Sequence, residues 1–279
     1  MFSGPVRSVM RVALAAALAL AAVLALSACG SSDEDAQEIN VELKGDPAKF
    51  SAPKSAEPGE AQITFKNATK DEAEMQLLRV EGDHDAADVI AALGGAQKGK
   101  PFPDWFFAGG GVSAVEGGET KTVTQILEPG TYYTANLEGK PDPSSFAAIE
   151  VSGEADDAAL ESDKTVTASE YQFEADGLEA GENEIAFENV GAQPHHLIVA
   201  PIKKGATIEE VQEAIKSGKE EPPLEEEGGT NTAVIEGGET QLVDLELEPG
   251  TYVMMCFISD RQGGPPHAVK GMVDELKIE

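Results

Sequence analysis

From residue 39 onward short apolar stretches alternate with turn residues, and the spacing of the apolar positions sorts the stretches into elements. Ile185-Ala186-Phe187 lies in a segment that alternates as a strand does, and His196–Ala200 reads as a short apolar strand. Ile208–Lys216 has helical spacing, with Thr207 at the N-cap position and Gly218 just past the end. Thr240–Leu247 alternates again, Pro249-Gly250 marks a turn, Thr251–Ile258 predicts the next strand and Met272–Ile278 the last. Many short antiparallel strands with one short helix predict an all-β fold of the Greek-key sandwich type.

The pattern occurs twice. Glu116-Gly-Gly-Glu-Thr120 returns as Glu236-Gly-Gly-Glu-Thr240, and Glu128-Pro-Gly-Thr-Tyr132 as Glu248-Pro-Gly-Thr-Tyr252, both 120 residues on. Upstream, Gly59, Glu60, Ile63, Phe65 and Asn67 match Gly181, Glu182, Ile185, Phe187 and Asn189 at an offset of 122, as Val89, Ala92 and Leu93 match Val211, Ala214 and Ile215. Motifs repeated in one order at nearly one offset mark a duplication. The two-residue slip falls between the helical segment and the next strand, where insertions are tolerated. The copies are expected at residues 39–152 and 163–279, joined by an acidic, alanine-rich linker at 153–162.

The N-terminus has a different pattern. Arg7 and Arg11 precede Val12–Leu26, a chargeless run of Ala, Val and Leu that is short for a membrane span and reads as the core of a signal peptide at residues 1–28. It ends in Leu26-Ser27-Ala28-Cys29, which resembles the lipobox of bacterial lipoproteins and implies cleavage before Cys29 and lipidation of its sulfur. Residues 29–38, acidic and small, are expected to act as a tether. The chain is therefore expected on the extracytoplasmic face of the cell membrane, held by its lipid.

Charge limits the partners. The 279 residues carry 51 acids against 20 Lys and Arg, a formal charge of −31, and loss of Arg7 and Arg11 with the leader makes it −33. Such a chain does not bind nucleic acid through phosphate neutralisation. The acids are spread along both copies, as a solubilising surface has them, although the same charge would also steer a cationic partner.

Of the two cysteines the lipid consumes Cys29, which leaves Cys256 without a disulfide partner. Either Cys256 is an inert core residue or a metal holds it. The second copy also carries His195, His196, His267 and Met272. Two imidazoles and a thiolate with a weak axial thioether form a blue-copper donor set. Each residue taken alone reads as structural; copper accounts for the set.

The segments around these residues are similar to those of the cupredoxins. Asn189-Val-Gly-Ala-Gln-Pro-His195 resembles the loop that leads to their first histidine ligand, and Pro249-Gly-Thr-Tyr-Val-Met-Met-Cys256 resembles their Pro-Gly-x-Tyr-x-x-x-Cys strand. His267-Ala-Val-Lys-Gly-Met272 resembles a closing His-x-x-x-Gly-Met. The resemblance covers 163–279 and, more weakly, 39–152. It implies two tandem cupredoxin-like sandwiches and one type 1 copper held by His195, Cys256, His267 and Met272. His195 is preferred because it directly follows the proline. His196 is expected on the other side of its strand, as an outer-layer or alternative ligand. Ten residues separate Cys256 from His267, a long ligand loop.

The first copy lacks these ligands: Ala73 stands in the place of His195 and Asn136 in that of Cys256. Its Pro101–Phe107 segment is aromatic, which suits a loop folded over its own core or an interdomain contact. Two-domain copper enzymes feed a second copper through a histidine beside the copper cysteine. Here Met255 holds that place, and the chain has four histidines in all. The expectation is that the chain is not an enzyme but a membrane-anchored carrier of single electrons. Its partner would be another redox protein, for instance a basic cytochrome or an oxidase subunit. The alternatives are a lipoprotein that stores, delivers or senses copper, and a copper-free interaction module.

Overall fold

The computed structural model describes residues 36–137, 142–154, 159–219 and 221–279. The leader at 1–28, Cys29, the tether up to Asp35 and part of the expected linker lie outside the described residues. In the first copy the elements are β1 (Gln37–Gly45), β2 (Ala48–Ser51), β3 (Ser55–Ala56), β4 (Gly59–Asn67), β5 (Ala73–Val80), α1 (Ala86–Ala96), β6 (Phe106–Val115), β7 (Thr120–Leu127), β8 (Gly130–Ala135) and β9 (Ala148–Val151). In the second they are β10 (Thr165–Ser169), β11 (Gln172–Asp176), β12 (Gly181–Asn189), β13 (Ile198–Pro201), α2 (Ile208–Ser217), β14 (Thr230–Asn231), β15 (Thr240–Leu247), β16 (Gly250–Met255), α3 (His267–Lys270) and β17 (Val273–Ile278). The fold is all-β apart from the short helices.

Alternation in the sequence becomes alternation in burial. Along β12, Ile185, Phe187 and Asn189 point inward, and along β4 their repeat equivalents Ile63, Phe65 and Asn67 do the same. Full burial of one such phenylalanine stabilises the fold by roughly 1.5–3 kcal/mol. The equivalents also keep their polar roles. Asn189 Nδ2 donates to the carbonyls of Gln193 (2.8 Å) and Ile235 (3.3 Å), and Asn67 Nδ2 donates to those of Asp71 and Val115, both at 2.8 Å. Tyr252 Oη closes onto Glu248, and Tyr132 Oη onto Glu128, each at 3.0 Å.

Each copy packs one sheet of four strands against a second sheet, and the first sheets of the two copies are continuous. Their order is β11-β10-β12-β15-β7-β4-β1-β2, a palindrome in which each half is the repeat of the other. The second sheets, β14-β13-β16-β17 and β3-β9-β8-β5-β6, also correspond. At the join, β7 and β15 run antiparallel with Gln125 opposite Gln241. Gln125 Nε2 donates to the Gly109 carbonyl (2.8 Å), and its Oε1 accepts from Gly111 N–H and from Gln241 Nε2, both at 2.9 Å. Gly110 and Gly111 kink β6 at positive φ to meet this amide, and a side chain on Gly111 would collide with the Met75 carbonyl. Replacing Gln125 with leucine leaves several buried partners unpaired. It is expected to cost at least about 2 kcal/mol, read as a lower urea midpoint.

The helix α2 follows its sequence signals. Thr207 Oγ1 accepts from Glu210 N–H (3.3 Å), the Glu210 carboxylate accepts from Thr207 N–H (2.9 Å), and Gly218 ends the helix at φ 59°. Two strands are shorter than their apolar runs. The pairing of β13 with β16 begins at Ile198, while His195 before it pairs by its backbone with Ile235. Strand β16 ends at Met255 because the chain then turns into the loop that returns at His267.

Candidate metal centre

His195 is delivered by a braced turn. Asn189 ties its start to Gln193, and the Glu170 carboxylate accepts from the N–H groups of Ala192 (2.5 Å) and Gln193 (3.1 Å). His195 itself exchanges two backbone bonds with Ile235, at 3.0 and 2.9 Å. Cys256 follows the last residue of β16, and Ala268 N–H returns to its carbonyl at 2.7 Å. His267 opens α3 with its N–H on the Ile258 carbonyl (2.8 Å), so the two ends of the ligand loop are stapled together.

These elements bring three ligand atoms to one point. The Nδ1 atoms of His195 and His267 lie 3.0 Å apart, and Cys256 Sγ is 3.5 Å from His267 Nδ1. All three residues are fully buried. Met272 is also fully buried, in the same apolar core as Cys256, and its N–H donates to the His267 carbonyl at 3.0 Å. His196 is outside this cluster. Its Nε2 accepts from Phe257 N–H (3.0 Å), while its backbone, with that of Ile258, faces the Cys256 sulfur and favours the thiolate.

The electrostatics suit a metal rather than a proton. Burial, helped by the neighbouring His267, pushes His195 down to about 4, and burial also lowers His267 against the opposing pull of Asp260. Both imidazoles are thus neutral near pH 7. Burial raises the Cys256 thiol to about 11 in spite of the backbone that faces its sulfur, so this thiol ionises only for a cation. His196 is pushed down to about 4 by burial and stays a neutral acceptor.

A second layer fixes the tautomer of His267. Its Nε2 lies 3.1 Å from Asp260 Oδ1. Burial raises the Asp260 carboxyl, but bonds from Lys270 Nζ and Tyr171 Oη (2.9 Å) outweigh it and hold the group below its ordinary value. An ionised carboxylate only accepts, so the proton of His267 sits on Nε2 and the lone pair on Nδ1 faces the cluster. Lys270 also donates to Tyr171 Oη at 2.9 Å and lies over its ring. Removing such a partner costs about 10–100-fold in metal affinity. Asp260→Asn is expected to lose that much, measured by competition with a chelator, without unfolding the protein.

Of the residues singled out from sequence, His195, Cys256 and His267 converge, Met272 is buried in the core they share, and Cys29 lies outside the described residues. In the first copy Ala73 is a buried residue at the start of β5, and Asn136 follows β8. Sequence reasoning missed Asp260, Tyr171, Lys270, Glu170 and Arg261. Asp260, inside the ligand loop, had a positional signal; Tyr171, nearly a hundred residues away, had none.

Copper fits this donor set. Two neutral imidazoles, a buried thiol and a nearby thioether match its softness and its low-coordinate trigonal geometry. No protein-family model matches the sequence, and no curated protein matches it. Among solved structures, auracyanin A, a blue copper protein from Chloroflexus aurantiacus, is similar at 19% identity over 42% of this chain and 100% of its own, with a TM-score of 0.32. A blue copper oxidase from Nitrosomonas europaea is similar at 12% identity over 88% of this chain and 86% of its own, TM-score 0.23. A copper-containing nitrite reductase from Thermus scotoductus is similar at 14% identity over 87% of this chain and 61% of its own, TM-score 0.22. The expectation that the chain is not an enzyme is corrected by the last two, which are similar over most of its length and are enzymes by name. By its own topology and donor geometry, the chain has a cupredoxin-like fold of two β-sandwiches, and the second gathers a histidine–cysteine–histidine set that fits one copper ion.

Proposed function

We propose that the protein passes single electrons through one copper held by His195, Cys256, His267 and Met272, while a lipid on Cys29 anchors it to the outer face of the cell membrane. The observation that carries the reading is the convergence of two imidazole nitrogens and a thiol sulfur, all buried, at one point. Bound copper supplies the one-electron couple. The chain's own residues supply the rest. The braced turn before His195 and the stapled loop ends hold the donors in place, which keeps reorganisation small. Asp260 keeps His267 in the ligating tautomer, and the surrounding core excludes water. The formal charge of −31 favours a redox partner with a basic face.

Addition of Cu(II) to the chain from Gly30 onward tests the electron-transfer reading. One equivalent and an intense blue band are expected; tight, colourless Cu(I) binding would instead indicate storage or delivery. For the anchor, palmitate should label the protein and Cys29→Ala should release it from membranes. Unchanged membrane association of that variant would refute the lipid anchor.

A further inference from the structure

The first copy carries none of the metal ligands, yet both imidazole segments of the second copy rest on it. Ile235, which pairs with the His195 backbone, forms a bridge on its other side with Gly109. Around it, Val234 exchanges bonds with the Gln76 amide (2.9 and 3.0 Å) and accepts from Gly110 N–H (3.0 Å), and Glu236 Oε2 accepts from Ala108 N–H (2.9 Å).

The His267 side is held by one residue of the long ligand loop. The Arg261 guanidinium donates to the carbonyls of Phe106 (2.8 Å) and Pro103 (3.2 Å), pairs with Glu236 at 2.9 Å, and lies 5.0 Å from the Phe107 ring centre. Its carbonyl accepts from Phe102 N–H at 2.7 Å. Its own N–H donates to Gln193 Oε1 at 2.8 Å, on the turn that delivers His195. Two residues on, Gly263 lies so close to the first copy that a Cβ there would sit 2.6 Å from the Gly99 carbonyl. Directly before Arg261 is Asp260, the partner of His267.

We propose that the ligand-free copy is a clamp that keeps the copper loop in its metal-ready form, with Arg261 as the positioning residue that joins them. The inference rests on the copper reading above. A ten-residue loop free of such ties samples many conformations in which Asp260 and His267 are out of place. A guanidinium fork fixed by two carbonyls, a carboxylate and a ring face removes that freedom, and Lys could not copy its geometry. The aromatic Pro101–Phe107 segment of the first copy is thereby accounted for: it packs on its own core, through Phe102 and Phe106, and forms the socket for Arg261.

The test uses the full two-copy chain with Arg261→Gln, Arg261→Lys and Phe107→Ala. In the copper-free protein, amide exchange of residues 257–266 is expected to rise about tenfold or more in Arg261→Gln. After loading, the charge-transfer energy and the copper hyperfine splitting should shift, and copper should pass to a chelator about tenfold faster. Arg261→Lys should restore part of each, and Phe107→Ala should move each in the same direction by less. If Arg261→Gln leaves loop exchange and the copper spectrum unchanged and lowers only the melting temperature, the residue is interdomain glue and the clamp is refuted. If Arg261→Gln fails to fold, Phe107→Ala decides by the same readouts. If the unaltered chain binds no copper, the copper reading fails, while loop exchange still decides the clamp.

Discussion

Replacing Cys256 with serine is expected to abolish the blue colour of the copper-loaded protein completely. The band arises from charge transfer between sulfur and Cu(II), and no other sulfur in the cluster can replace it, because a thioether is a weak and distant donor. A serine hydroxyl at this buried position does not ionise. It would leave two imidazoles and Met272 to hold the ion. Copper affinity should therefore fall by well over the roughly 10–100-fold that loss of an outer-layer partner costs. The side chains are close in size, so far-UV circular dichroism should be unchanged and report the fold separately from the site. A blue band that survives in Cys256→Ser would remove this cysteine from the site. His195→Ala and His267→Ala should each keep the thiolate and give weakened, altered spectra.

Copper affinity is also expected to climb about tenfold per pH unit from about pH 7 to pH 9. The sign follows from the thiol. Burial raises Cys256 to about 11, so throughout this range the free site holds a proton that the metal must displace. One proton leaves per copper bound, and affinity rises with pH at a slope of one. The imidazoles add little above about pH 7, because burial pushes His195 down to about 4 and holds His267 below its ordinary value. At lower pH the slope should steepen as the imidazoles begin to compete. Cu(I) competition with a chelator, corrected for the chelator's own protonation, measures it. A curve that flattens near pH 8 would mean that Cys256 titrates as an ordinary exposed thiol.

The parts of this structure that were legible in the sequence are those decided by local chemistry. Alternation fixed the inward faces of β12 and β15, and the Thr207–Glu210 pair with Gly218 fixed both ends of α2. The convergence of His195, Cys256 and His267 was legible because a thiol without a partner and histidines at the ends of apolar segments are costly residues. What was not legible depends on long-range contact. No local pattern shows that Tyr171, on the β10–β11 turn, reaches Asp260, or that Arg261 inserts beside Phe107. The ends of β13 and β16 were misplaced for the same reason. Phe257 and Ile258 continue the apolar run past Met255, yet Phe257 is exposed and the chain already turns into the ligand loop, which periodicity does not reveal.

The join between the copies has one more consequence. Strands β7 and β15 are equivalents in the repeat, and they pair antiparallel with Gln125 opposite Gln241 and Thr124 opposite Leu242. Continued one step, this register would bring Val123 opposite Val243, which are the same position of the repeat. The seam is therefore self-complementary, like the interface of a twofold homodimer in which each subunit offers an identical patch. Either copy released from the other would present this strand as an open sheet edge, with backbone donors and acceptors waiting for a partner. The nearest match for that edge is another copy of itself, so a single copy in solution is expected to be a dimer built on the contact that the intact chain makes within itself.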